Sequence, residues 1–262
     1  MINNVRKKPV VLVLAGHDPS GGAGIQADIE TIAANGCHAM TVLTCMTTQN
    51  TAEFRKYIPV QPEDFLQQTE LILSETGIEA CKIGLIADPG ILTAIEKILP
   101  GFKDVPVVLD PVINSGSGEK IMTDDIRISL RDKLLPFTTI ITPNTTEARS
   151  LSGLDDLPAA AQKLIKQGCK AVFITGAHEP TAMVINTLYL EKEPPEQWVW
   201  ERLPGTYHGS GCTLSSAIAA HLALGENIRQ AVMAAQHYTW NTLKHGMRLG
   251  CKQCHPDRFY KA

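Results

Sequence analysis

Short, unbroken apolar runs rich in β-branched residues alternate along this chain with longer stretches in which apolar positions recur at helical spacing. The runs at 9–15 (PVVLVLA), 40–45 (MTVLTC), 105–110 (VPVVLD), 138–142 (TTIIT) and 171–175 (AVFIT) read as buried strands, because a strand covered on both faces has no polar side to alternate with. Helical patterns fall between them at 23–35, 62–75, 89–99, 123–134 and 156–168, with Asp88-Pro89 and Thr123-Asp124-Asp125 as start signals and Gly168 as a stop. This alternation predicts βαβ units, hence an α/β fold with a mostly parallel central sheet flanked by helices on both faces. Ligands are then expected outside the carboxyl ends of the strands. The segment 181–203 departs from the pattern: TAMVINTLYL and QWVWERL surround Glu193-Pro194-Pro195 and read as an antiparallel edge hairpin. Two alanine-rich helices, 213–224 and 226–244, follow on either side of Gly225. No repeat, low-complexity tract or linker interrupts the chain, so residues 1–262 are expected to form one domain.

Composition narrows the class. The 262 residues are 44% hydrophobic and 19% charged, with 24 Lys plus Arg against 27 Asp plus Glu, a net charge of −3. That suffices for a large core and excludes a disordered chain. Without clustered Lys and Arg, nucleic acid is not an expected partner. The seven cysteines are an odd number scattered mostly through apolar segments, which points to a reducing compartment. The basic N-terminus precedes an apolar run shorter than the roughly 7–15 residues of a signal h-region. No stretch approaches the roughly 20 apolar residues of a membrane span. A cytoplasmic protein with no membrane partner is expected.

Three clusters carry chemistry. Gly16-His17-Asp18-Pro19-Ser20-Gly21-Gly22-Ala23-Gly24-Ile25-Gln26-Ala27-Asp28 follows the first strand and opens a helix, yet matches neither GxGxxG nor GxxxxGK[ST]. Its glycines permit tight turning and close backbone approach to a ligand. Asp28, one turn into the helix, is placed either to help cap it or to point at a substrate. Tyr207-His208-Gly209-Ser210-Gly211-Cys212-Thr213 precedes an alanine-rich helix. Its successive N–H groups, aligned with a helix dipole, suit a transferring phosphoryl group, and the same position is expected to favour a Cys212 thiolate. Asp110-Pro111-Val112 and Thr142-Pro143-Asn144-Thr145-Thr146-Glu147 close two further strands, where an acid and an NxxE turn could hold Mg²⁺ through water or orient phosphates.

Together GHDPSGGAGIQAD, TTQNT at 47–51, KIGLI at 82–86, LDPVINSGSG at 109–118, TPNTTEARSL at 142–151 and HGSGCTLSSAIAAHLALG at 208–225 resemble the hydroxymethylpyrimidine/phosphomethylpyrimidine kinases of thiamine biosynthesis. These are ribokinase-like enzymes, and several of their motifs are shared with pyridoxal kinases. The resemblance implies a ribokinase-like fold, ATP and Mg²⁺ as cofactors, a small pyrimidine as substrate and a homo-oligomer, a dimer. It places the pyrimidine near Gly16, Asp28, Thr47, Gln49, Leu85 and Val112, with Asp28 facing the ring. The metal would lie near Asp110 and Glu147, and the nucleotide near Asn144, Glu147 and Thr175. Gly209, Ser210 and Gly211 would be the anion hole, and Cys212 the catalytic cysteine where most ribokinase relatives have an aspartate. A pyridoxal kinase, or a non-catalytic binder of thiamine precursors, are the alternative readings.

Three positions depart from the family pattern. Thr175 stands where a VLxKGGH lysine is usual; it offers a hydrogen bond but no positive charge. His17 replaces a small hydroxyl residue. Cys251-Lys252-Gln253-Cys254-His255 spells the CxxCH of haem attachment, but without an export signal it reads as two exposed thiols in a tail, with His245 the one further ligand nearby.

Overall fold

The computed structural model describes residues 7–114, 118 and 121–261. Among them, nine strands build one sheet: β1 Val10–His17, β2 His38–Gln49, β3 Phe54–Pro59, β4 Ala80–Ile83, β5 Val107–Leu109, β6 Ile140–Ile141, β7 Ala171–Ile174, β8 Met183–Leu190 and β9 Glu196–Glu201. Their order is β3-β2-β1-β4-β5-β6-β7-β8-β9. The pairs from β2 to β7 are parallel, and β8 and β9 extend the sheet as an antiparallel hairpin.

β1 shows why apolar runs mark this sheet. Val11, Val13 and Ala15 enter one core and Leu12 and Leu14 the other, all buried. The first core is closed by α1 Gly24–Ala34, α7 Ser210–Ala223 and α8 Ile228–Lys244; the second by α2 Pro62–Glu75, α3 Pro89–Ile98, α4 Asp124–Ser129, α5 Thr145–Ser152 and α6 Leu157–Lys166. The chain leaves β1 by α1 on one face to reach β2, then returns by α2 on the other face to β4. The strand order reverses at that point, and a crevice opens between the carboxyl ends of β1 and β4.

The differences from the sequence reading have local causes. β4 carries Lys82 in its middle, which breaks an apolar run, yet the residue is fully buried. β3 pairs antiparallel to β2, so the sheet has an antiparallel strand at both edges; its half-exposed, charged sequence gives little strand signal. The polar TTEARSLS forms α5 because an Asn144–Glu147 capping box nucleates it. α4 covers only the first half of 123–134, the chain then widening into a π turn and a 3₁₀ turn around Pro136. α7 starts at Ser210, three residues before the apolar periodicity sets in. Among the described residues no helix is long and apolar enough to cross a membrane.

Candidate active site

The carboxyl ends of the parallel strands converge on a cavity lined by Gly16, Thr47, Gln49, Leu85, Val112 and Cys212, together with His17, Asp18, Lys82 and His208. The walls are fixed by side-chain bonds between neighbouring strand ends. The Thr47 hydroxyl donates to the His17 carbonyl at 2.8 Å, and the Thr44 hydroxyl to that of Leu85 at 2.6 Å. Backbone packs closely here: a methyl on Gly16 would lie 2.9 Å from Cys45 Sγ.

The two glycine-rich loops, far apart in sequence, touch. Gly209 adopts φ +76°, and a methyl there would lie 1.9 Å from the Gly22 carbonyl oxygen, so both the conformation and the contact require glycine. The first backbone bond of α7 runs from the Thr213 N–H to the Gly209 carbonyl, 2.9 Å. The N–H groups of Ser210, Gly211 and Cys212 therefore precede the helical ladder at the positive end of the dipole. Asp18 joins the loops: its carboxylate accepts from the N–H groups of Ser20 and Ala23, both 2.9 Å, and meets His208 Nε2 at 2.8 Å. Burial works to raise its pKa, but these partners outweigh burial and bring it from 3.8 to about 2. A carboxyl depressed in the folded state stabilises above its unfolded pKa and stops doing so as pH falls through the folded value. Asp18 is expected to contribute about 2 kcal/mol at neutral pH, lost between pH 4 and 2. Acid titration of wild type and Asp18→Asn by circular dichroism checks this; superimposable curves would refute it.

A charge cluster lies beneath the cavity floor. Lys82 Nζ sits 3.0 Å from both Asp28 carboxylate oxygens, and both side chains are wholly inaccessible. Burial alone would pull the lysine pKa down; the charges of Asp28, Cys212 and Asp110 more than reverse this and hold it above its ordinary value. Ser216 Oγ donates to Asp28 at 2.6 Å. Asp28 is not among the residues that line the cavity; Lys82, which it pairs with, is. Nor does it cap α1, which has no side-chain cap.

Cys212, in the first turn of α7, also differs from expectation. Burial raises its thiol pKa to about 12; Lys82 opposes this, while Asp110 and Asp28 reinforce it. Burial beside two carboxylates thus favours the thiol over the thiolate. Ser215 Oγ donates to the neighbouring Asp110 at 3.2 Å, and burial followed by the Asp28 charge raises the Asp110 pKa despite Lys82.

Further along the sheet, Asn144 and Thr175 form a parallel bridge at the ends of β6 and β7. Asn144 Oδ1 accepts from the Glu147 N–H and Glu147 Oε2 from the Asn144 N–H, both 2.9 Å. Glu147 is buried, and desolvation followed by the Asp110 charge raises its pKa to about 8. Two carboxylates that repel one another and lack a full share of cations fit a hydrated Mg²⁺, which takes one or two carboxylates and completes its shell with water and phosphate. No group of three or more His, Cys, Asp and Glu that could hold a metal occurs among the described residues.

Sequence reasoning did not single out Asp18, Lys82 and His208 as a linked set. The signal for Asp18 and His208 was their place inside the two glycine clusters; for Lys82 it was a lone lysine in an apolar strand. The CxxCH tail is also less open than expected. Cys251 is exposed, but Cys254 is half-buried and its backbone bridges Tyr207, and His255 is buried.

The family model for phosphomethylpyrimidine kinase matches residues 18–257. A hydroxymethylpyrimidine/phosphomethylpyrimidine kinase from Synechococcus elongatus is 35% identical over 259 residues, covering 96% of this chain and 98% of the relative. The pyridoxal kinase of Bacillus subtilis, solved as an ADP complex, superposes with a TM-score of 0.87 at 30% identity, over 98% of this chain and 100% of the other. The phosphomethylpyrimidine kinase of Clostridium difficile gives 0.79 at 32% identity, over 90% and 100%. A ribokinase-like sheet, a helix N-terminus beside the cavity and matches over almost the whole sequence agree, and the chain belongs to the phosphomethylpyrimidine kinase family.

Proposed function

We propose that this ATP-dependent thiamine-precursor kinase acts as a single domain that phosphorylates 4-amino-5-hydroxymethyl-2-methylpyrimidine and then its monophosphate. The observation that carries this reading is the position of Cys212 in the first turn of α7, on the wall shared with Gly16, Thr47, Gln49, Leu85 and Val112. Beside the charged and titratable groups of Asp18, Lys82, His17 and His208, Thr47 and the Gln49 amide offer neutral groups, and Gln49 can both donate to and accept from an aminopyrimidine. Asp28 acts through Lys82 rather than by touching the ring.

Phosphoryl transfer passes through a loose transition state, so alignment and charge neutralisation outweigh strong base catalysis. The amides of Ser210, Gly211 and Cys212 receive the moving phosphoryl oxygens. The substrate hydroxyl gives up its proton late, to Cys212 Sγ, while the thiol proton passes to the neighbouring Asp110 carboxylate. Asn144 and Thr175 line the nucleotide side, Thr175 with a hydroxyl in place of a charge. Asp110 and Glu147 would hold Mg²⁺, which supplies neutralisation of the phosphates when bound. The protein is proposed to be a cytoplasmic homodimer, in keeping with the family resemblance and with seven cysteines that are all free.

Pyridoxal is the second substrate to weigh, because the Bacillus subtilis pyridoxal kinase superposes more closely than the Clostridium difficile phosphomethylpyrimidine kinase. Coupled ADP release with the hydroxymethylpyrimidine, its monophosphate and pyridoxal, each with MgATP, separates the readings. Turnover is expected with both pyrimidines, and kcat/KM for pyridoxal at least about tenfold lower, the discrimination that roughly 1.4 kcal/mol of differing contacts gives. Turnover with pyridoxal alone would reverse the assignment.

A further inference from the structure

The tail around the CxxCH motif has no part in the chemistry described above, yet it carries a buried arginine. Arg258 is only 3% exposed. Its Nη1 donates to the Gly21 carbonyl at 3.3 Å and to Glu30 Oε2 at 3.0 Å, its Nη2 to the Gly22 carbonyl, and its Nε to Thr213 Oγ1 at 3.1 Å. One planar fork therefore binds the turn of the first glycine loop, α1 behind it and the first turn of α7. Thr213 follows Cys212 directly, and its hydroxyl also donates to the Gly209 carbonyl at 2.9 Å. The opposite side of the same turn is closed by imidazoles: a methyl on Gly22 would lie 2.3 Å from His208 and 2.6 Å from His255. Backbone bonds seat the tail, with Cys254 N–H on the Thr206 carbonyl and His208 N–H on the Cys254 carbonyl, both 2.9 Å.

We propose that Arg258 is a positioning residue for phosphoryl transfer. It fixes the substrate-side loop against the helix N-terminus that receives the phosphoryl group and so sets the gap the group must cross. This rests on the reading of Gly209, Ser210 and Gly211 as the anion hole. Arg258 does not line the cavity, so its loss acts on alignment more than on binding; misplacement of reacting groups by about 1 Å can cost on the order of a hundredfold in rate. Lysine reaches the same region but presents one point of charge and cannot span the loop carbonyls, Thr213 and Glu30 at once.

The test is steady-state kinetics of Arg258→Lys and Arg258→Ala with the hydroxymethylpyrimidine and MgATP, alongside thermal melts and titration with guanidinium chloride at millimolar, non-denaturing concentrations. Expected for Arg258→Lys is a kcat about tenfold lower, and for Arg258→Ala about a hundredfold lower, with both KM values within about threefold of wild type. Added guanidinium is expected to restore part of the kcat of Arg258→Ala and none of that of wild type. A folded Arg258→Lys with wild-type kcat overturns the proposal. So does a loss of activity that only tracks the fraction unfolded and is not rescued; if Arg258→Ala does not fold, Arg258→Lys alone decides. Gly211→Ala, whose methyl would meet nothing nearer than Asp110 Oδ1 at 4.0 Å, separates the two layers. Lost kcat in Gly211→Ala with none lost in the Arg258 variants refutes the positioning role and leaves the anion hole standing. Lost kcat in the Arg258 variants with none lost in Gly211→Ala, which keeps its N–H, supports the positioning role.

Discussion

Cys212→Ala lowers kcat by about 10²–10³-fold while leaving the KM for ATP within about threefold, the size expected when a proton acceptor is removed from a positioned site. The side chain lies in the first turn of α7, where the helix amides stay in place without it, so the nucleotide keeps its contacts and only the late proton step is lost. Cys212→Ser retains a donor and acceptor toward Asp110 and falls between the two. The pH profile discriminates further. With the thiol pushed to about 12 by burial, a mechanism that needed the free thiolate would show kcat rising about tenfold per pH unit from 7 to 9. Transfer through sulfur to Asp110 needs no prior ionisation, and kcat is expected to stay within about threefold over that range. Wild-type turnover in Cys212→Ala, measured by coupled ADP release, would remove the residue from the mechanism.

Asp28→Ala is the substitution expected to cost the most stability. It leaves the Lys82 ammonium in a wholly buried position without its bidentate partner and strips Ser216 of its acceptor. Removing one member of a buried pair costs about 3–5 kcal/mol because the remaining charge is uncompensated. Replacing both, as Asp28→Asn with Lys82→Met, removes the stranded charge and is expected to recover at least about half of that loss. Urea denaturation of wild type, single and double variants gives the comparison. An Asp28→Ala midpoint equal to that of wild type would show that Lys82 finds another partner. Activity separates from stability here: the double variant is expected to fold but lacks Lys82 on the cavity wall, so it is expected to turn over more slowly than wild type at equal folded fraction.

The continuous apolar strands were legible because a sheet covered on both faces admits nothing else, and β1 divides its side chains between two cores as that rule requires. β4 was hidden by Lys82, whose burial depends on a carboxylate 54 residues earlier; no local pattern contains that pairing. The polar α5 was read only as a turn of possible ligands, although the same Asn144 and Glu147 are its capping box. At the site, the glycine loops declared themselves by composition, but that Gly209 packs on Gly22 is a fact of tertiary contact. The ionisation of Cys212 could not be read from its helix position, since the dipole was visible in the sequence and the two opposing carboxylates were not. Resemblance gives Asp28 a ring-facing place, and no local signal shows its pairing with Lys82, which lines the cavity where Asp28 does not.

The contact between Arg258 and the Gly22 carbonyl joins residues 236 apart in the chain. Synthesis is vectorial and the N-terminal part emerges first, so the glycine loop after β1 is made early and waits, without its clamp, until nearly everything else in this sequence has been translated. A nascent chain stopped before Arg258 can have most of its sheet paired and still lack the bolt between its two glycine loops. Competence for phosphoryl transfer then follows the pairing of the sheet rather than accompanying it, and a change that disturbs the segment around 254–258 acts on catalysis from outside the cavity lining.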